Sequence, residues 1–143
     1  MMKKLVFLCM AACCLFGCQN AGKKTEQNGE AQIVRENGEK LTVEVELVNG
    51  KLRDVDIDET VEGKKQTKKE LKEDYQMKQA SSIGKEWYEQ VAFFENYVEK
   101  KGIKDITLNE EGKATNDDVR SGCTIAVDGF IKGIEEAVKN AEK

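Results

Sequence analysis

The 143-residue chain contains no histidine and no proline, and four of its five cysteines lie within the first 18 residues. Without histidine, the protein has no imidazole ligand for a metal or a haem and cannot form a Ser-His-Asp triad. The remaining thiol, Cys123, has no partner for an internal disulfide, so the hydrophobic core must stabilise the fold. The absence of proline favours uninterrupted helices and strands.

The first 17 residues have the three parts of an export signal. Two lysines at the start are followed by an apolar run from Leu5 to Phe16 and by the small residue Gly17. The run is shorter than the roughly 20 apolar residues that a permanent transmembrane helix requires. We therefore interpret residues 1–17 as a cleaved signal peptide, with an uncleaved N-terminal anchor as the alternative.

The end of this segment, Leu15-Phe16-Gly17-Cys18, resembles the bacterial lipobox, in which the cysteine becomes the acylated first residue of the mature protein. The resemblance implies lipidation of Cys18 by acyl chains such as palmitate. It also implies a lipoprotein anchored in the cell membrane and facing outside the cytoplasm. Several acyl chains on one residue hold a protein far more firmly than one, since each buried CH₂ contributes about 0.8 kcal/mol.

Loss of Lys3 and Lys4 with the signal peptide would change the net charge from −4 to −6. An acidic domain is a poor candidate for binding nucleic acid. Residues 18–30 show no apolar periodicity and are predicted to form a flexible tether from Cys18. We expect one folded domain over residues 31–143, because this length is typical of a single domain.

The clearest local pattern predicts a β-hairpin. Residues 41–48 alternate apolar and polar side chains, as in a strand with one wet face. Asn49-Gly50 follows, and both residues tolerate the positive φ of a type I′ turn. Alternation resumes over residues 51–57, and residues 31–36 are predicted to add a further strand.

Helical periodicity follows the hairpin. A short helix is predicted over residues 67–77, a longer one over 85–101 and an amphipathic C-terminal helix over 128–141, with a further strand over 103–108. The aromatic stripe of the longer helix fits core packing better than a cofactor site. Because helices and strands do not alternate regularly, we expect an α+β fold with an antiparallel sheet packed against two to three helices.

The polar segment before the last helix contains the candidate site. It has an acidic residue and, six positions later, a hydroxyl, with Ser121-Gly122 and Cys123 between Asp118 and Thr124. On local chemistry alone, Ser121-Gly122 fits a simple turn and Cys123 fits a small core residue.

The pattern Asp-x-x-Ser-Gly-Cys-Thr over 118–124 resembles the flavin-attachment motif of the FMN-binding domain family, whose usual form is Asp-x-x-(Ser/Thr)-Gly-Ala-Thr. The hairpin LTVEVELVNGKLRDVDI (41–57) is similar to the opening of that domain, and residues 75–98 resemble a subgroup of small exported members. The similarity therefore covers roughly residues 41–141, with Cys123 in place of the usual alanine.

The resemblance implies an electron-transfer flavoprotein rather than an independent enzyme. In the family, a flavin transferase moves FMN from FAD onto the threonine hydroxyl, here that of Thr124, as a phosphoester. Asp118 would help to hold the metal that accompanies the transfer, Ser121 and Gly122 would let the donor phosphate approach, and Cys123 would lie beside the flavin. Tyr88, Trp87 and Tyr97 are candidates for stacking on the ring. A redox protein or a quinone would exchange electrons with it.

Two other interpretations remain open at this point. The first is a flavin-free surface lipoprotein of the same fold that acts as a binding or structural component of the cell envelope. The second is an unrelated α+β lipoprotein, such as a carrier of a small ligand.

Overall fold

The computed structural model describes residues 22–143. The predicted signal peptide and the predicted lipidation site, Cys18, lie outside these residues. Among the helices of the described part, none is long and apolar enough to cross a bilayer.

Three antiparallel strands form one sheet in the order β1-β2-β3. They are β1 (Glu26–Val34), β2 (Lys40–Val48) and β3 (Lys51–Glu59). The β1 strand begins five residues before the predicted one, so residues 26–30, expected to belong to the tether, pair with β2 instead. The sequence pattern missed them because their pairing depends on backbone hydrogen bonds to β2 rather than on apolar side chains.

The predicted hairpin between β2 and β3 is confirmed. Asn49 and Gly50 have φ values of 53° and 73°, the left-handed conformation that a type I′ turn requires at both positions. Val48 pairs with Lys51 across the turn, and an irregularity between Glu46 and Leu47 then shifts the register. The turn and this irregularity together set which side chains of the two strands face the core.

Four helices follow the sheet: α1 (Lys68–Leu71), α2 (Trp87–Lys101), α3 (Asp117–Arg120) and α4 (Asp128–Ala141), with a 3₁₀ turn at Lys72–Tyr75. The α1 helix begins at a capping box, in which the Thr67 side chain accepts from the Glu70 amide. The α2 helix ends at Gly102, whose φ is 76°. The predicted strand over 103–108 is wrong, because Leu108 makes only a single bridge, with Ala114.

Helices α2 and α4 cover one face of the sheet, with α4 against β1 and β2 and α2 against β3. Close approach of α4 requires a glycine in β1, since a Cβ at Gly29 would lie 2.7 Å from the amide nitrogen of Ala141. The largest fully buried side chains come from both layers: Leu41, Val43, Leu47, Ile57, Gln90, Val91, Phe94, Val98, Val119, Val127, Phe130 and Ile134. This arrangement confirms the α+β fold with a C-terminal helix.

A buried ion pair ties α1 to the sheet. The Lys68 ammonium donates to Glu59 at 2.9 Å, and both side chains are less than a tenth exposed. Arg35 also pairs with Glu59, and Glu39 lies 3.2 Å from the Lys68 ammonium. Burial acts to lower the pKa of Lys68, but its hydrogen bond to Glu59 and the charge of Glu59 outweigh burial and raise it above 10.5.

Candidate functional site

The segment from Asp118 to Thr124 lies along helix α2 in the opposite direction. Asp118 accepts a hydrogen bond from Lys101 near the end of α2, Gly122 packs against Phe93, and Thr124 bonds to Gln90 near its start. Positions 90, 93, 97 and 101 share one face of a helix, because side chains three and four residues apart lie one above the other. The long helix therefore sets the position of the whole motif.

Thr124 is partly exposed and is held by one buried amide. Its N–H donates to Gln90 Oε1 at 2.9 Å, and its hydroxyl lies 3.3 Å from the same oxygen. Gln90 is fully buried, and its Nε2 donates to Ser81 Oγ at 3.1 Å and to the Lys85 carbonyl at 3.2 Å. Gln90 thus joins the loop before α2 to the loop that carries Thr124.

The hydroxyl of Thr124 borders a pocket of about 340 Å³. The pocket is lined by Ser82, Asn109, Glu111, Lys113, Ala114, Thr115, Arg120 and Thr124. Ser82 Oγ donates to Thr124 Oγ1 at 3.3 Å. The pocket therefore brings three hydroxyl groups and two cationic side chains to one place, although Lys113 is paired with Glu111 at 2.7 Å and Arg120 with Asp117 at 3.5 Å. Such a set of donors suits a phosphate or another oxyanion.

Asp118 does not reach this pocket. Its carboxylate accepts from the Lys101 ammonium at 2.7 Å, and that hydrogen bond holds the pKa of Asp118 below its usual value. Lys101 and Gln90 are eleven residues apart on α2, which corresponds to about 16 Å along the helix axis. Within residues 22–143, no group of three or more acidic or cysteine side chains could hold a metal ion. Asp118 therefore anchors α3 to α2 at a distance from Thr124.

Ser121, Gly122 and Cys123, the last three of the five residues between Asp118 and Thr124, have structural partners. The Ser121 hydroxyl donates to the Asp118 carbonyl at 2.8 Å. A Cβ at Gly122 would lie 2.5 Å from Cε2 of Phe93, so this glycine allows the aromatic ring to pack against the loop. Cys123 is fully buried, and burial raises the pKa of its thiol to about 12. At neutral pH the thiol is protonated and enclosed in the core, away from the pocket.

The aromatic residues considered for ring stacking lie elsewhere. Trp87 is buried edge-on against Phe130, with ring centroids 6.1 Å apart. The Tyr88 hydroxyl donates to Glu73 at 2.8 Å, and this hydrogen bond raises the pKa of Tyr88 to about 12. The Lys101 ammonium lies over the Tyr97 ring, 5.0 Å from the ring centroid. No aromatic side chain lines the Thr124 pocket. Its residues fit the phosphate end of a flavin nucleotide, but they offer no stacking partner for the ring.

Sequence reasoning missed Gln90 and the basic residues of the pocket. Gln90 lies between Trp87, Val91 and Phe94 on the buried face of α2, and a polar residue at a core position is itself a signal of a hydrogen-bonding role. Lys113 lies in the loop before α3, Arg120 is the last residue of α3, and both line the pocket with Thr124. No spacing rule in the sequence predicts that contact.

No protein-family model matches the chain, and no curated protein matches it. The fold is similar to a solution NMR structure of a protein from Clostridium thermocellum, with a TM-score of 0.53 and 29% sequence identity. The similarity covers 85% of this chain and 93% of the other. It supports a shared α+β domain and assigns no function.

Proposed function

We propose that the protein is a membrane-anchored lipoprotein whose outward-facing domain binds FMN at the Thr124 pocket and carries electrons to a redox protein or a quinone. The observation that carries the proposal is the position of the Thr124 hydroxyl. It is partly exposed, held by the buried Gln90, and borders a pocket that also contains Arg120 and Lys113. The pocket volume of about 340 Å³ lies within the range of small-molecule sites.

Four residues of the pocket, together with the buried Gln90, have defined parts in this proposal. Arg120 and Lys113 would balance the charge of the FMN phosphate, and Ser82 would hydrogen-bond to it. Thr124 would offer its hydroxyl oxygen to the FMN phosphorus of FAD during loading by a flavin transferase, and AMP would leave as the pyrophosphate bond breaks, as its resemblance to the family motif implies. Gln90 would keep the Thr124 hydroxyl at the pocket. Bound FMN would supply the redox chemistry, and the protein would supply its placement.

Mass spectrometry of the chain coexpressed with a flavin transferase tests this proposal. The wild-type protein should carry an FMN adduct on Thr124 and keep its flavin absorbance after denaturation. Thr124→Val should lose both, whereas Thr115→Val, which removes another hydroxyl from the same pocket, should keep the adduct. A colourless wild-type protein without an adduct would contradict covalent attachment, and an adduct that persists in Thr124→Val would contradict attachment at Thr124.

The same measurement reports on the anchor. We propose acyl chains on Cys18, and a Cys18→Ala variant should lack them and should no longer sediment with membranes. Lipidation and flavin loading are separate modifications, so each succeeds or fails on its own mass difference.

A second candidate is a flavin-free surface lipoprotein of the same fold, acting as a binding or structural component of the envelope. Two observations favour it. No aromatic side chain lines the pocket, and the Phe93 ring fills the space beside Gly122. An acylated and folded wild-type protein that takes up no FMN, covalent or free, would support this candidate.

A further inference from the structure

The two outer edges of the sheet differ in how their backbone groups are satisfied. On β3, two of the amides that point away from β2 bond to carboxylates of α2, and that of Glu59 bonds to Asp58. Val55 N–H donates to Glu99 Oε1 at 3.2 Å, and Ile57 N–H donates to Glu95 Oε1 at 2.7 Å. These contacts occupy the donors that another strand would need. The β3 edge is therefore closed to strand addition.

The β1 edge is open by comparison. Backbone groups of successive residues in an antiparallel strand point to opposite sides. The Glu30 carbonyl points away from β2, since it accepts from the exposed Asn140 side chain at 2.9 Å. The amides of Asn28, Glu30 and Gln32 share that outward direction, and they have no acceptor among residues 22–143. The strand contains neither lysine nor proline, the residues that commonly protect an edge.

The uncovered face of the sheet determines which strand would fit. Glu30, Glu44 and Asp56 stand opposite one another across all three strands, and Glu46 stands opposite Asp54. Like charges directly opposite each other destabilise a sheet. Asp56, on β3, forms an ion pair with Lys69. Glu30, at the open β1 edge, stands opposite Glu44 and has no cationic neighbour across the sheet.

We propose that the β1 edge binds an extended, basic segment of another protein by strand addition. The main chain of that segment would bond to the outward amides of Asn28, Glu30 and Gln32, and it would displace the single Asn140 contact. Lysine or arginine at alternate positions would extend the row of Glu30, Glu44 and Asp56 with opposite charge. A second copy of this chain fits less well, because antiparallel pairing about Glu30 places one glutamate against another. This proposal does not depend on flavin binding.

Hydrogen exchange on the full chain in a non-ionic detergent tests the proposal. The probe is a nine-residue peptide of alternating lysine and threonine, and the control replaces each lysine with glutamate. The lysine peptide should slow exchange over residues 26–34 and leave residues 51–59 unchanged, and added salt should weaken the effect. Equal protection by both peptides, protection at β3, or no protection at all would overturn the proposal. So would a dimer of the chain alone that already protects β1.

Two matched variants locate the contact. Gln32→Pro removes an outward N–H and leaves the β1–β2 ladder intact, whereas Gln32→Ala removes the same side chain and keeps the N–H. We expect Gln32→Pro to weaken peptide binding about tenfold relative to Gln32→Ala, as the loss of one backbone hydrogen bond predicts. Glu44→Gln should weaken peptide binding about two- to fivefold, because it removes one of the facing negative charges. Circular dichroism checks folding, and if Gln32→Pro does not fold, unchanged binding by Glu44→Gln still refutes the charge argument.

Discussion

Replacing Gly122 with alanine distinguishes a glycine needed for packing from one needed only for ligand approach. The added Cβ would lie 2.5 Å from Cε2 of Phe93, far inside normal contact distance. Overpacking of this kind costs about 1–3 kcal/mol. The backbone of Gly122 does not have a positive φ, so alanine can adopt the same conformation. The lower conformational entropy of the unfolded alanine variant therefore offsets about 0.4–1 kcal/mol of the overpacking cost. The net expectation is a loss of roughly 0.5–2 kcal/mol in the free energy of unfolding.

Urea denaturation of the single and double variants measures this loss. In a Phe93→Ala background the obstructing ring is absent, so Gly122→Ala should be neutral or slightly stabilising there. Gly22→Ala is the control, because a Cβ at Gly22 would meet no atom within 4 Å. If Gly122→Ala leaves stability unchanged, or costs the same with and without the Phe93 ring, the packing explanation is wrong.

Two further predictions concern buried polar groups. Gln90→Leu should lower the free energy of unfolding by about 2–4 kcal/mol, since it removes four hydrogen bonds worth roughly 0.5–1.5 kcal/mol each. Asn96→Ala, on the exposed side of the same helix, should change the free energy of unfolding by less than about 0.5 kcal/mol. If urea titrations show equal losses for the two variants, the role of Gln90 is refuted. Because Glu59 raises the pKa of Lys68 above 10.5, the folded state binds that proton more tightly than the unfolded state. This contribution to stability is complete below pH 10.5 and is lost as the pH rises through the folded pKa, so wild type should lose stability more steeply than Lys68→Met in that range. Parallel pH profiles of the two proteins would contradict it.

Much of the fold could be predicted from local patterns. The period-two alternation around Asn49-Gly50 predicted the hairpin, and the helical periodicity over residues 128–141 predicted the C-terminal helix with its observed bounds. The early start of β1 and the missing strand over 103–108 were not predicted. Both depend on whether a neighbouring strand is available to pair, which is a tertiary property.

The structure separates residues that the motif placed together. Thr124 was identified from its motif, and the structure brings it to a pocket with Ser82 and Arg120. Asp118 belongs to the same motif but contacts the far end of α2, because the segment runs antiparallel to that helix. Short spacing in sequence therefore did not imply a shared site.

The amino-acid sequence by itself determined the hairpin, the amphipathic helices and the acidic charge, because these follow from side-chain periodicity, turn chemistry and composition. Only the tertiary structure decided that Gln90 holds Thr124, that Gly122 accommodates Phe93, and that one sheet edge is closed while the other is open. Those features depend on contacts between residues about 30 or more positions apart. Such contacts form only when helix α2 packs against both the sheet and the loop before α4.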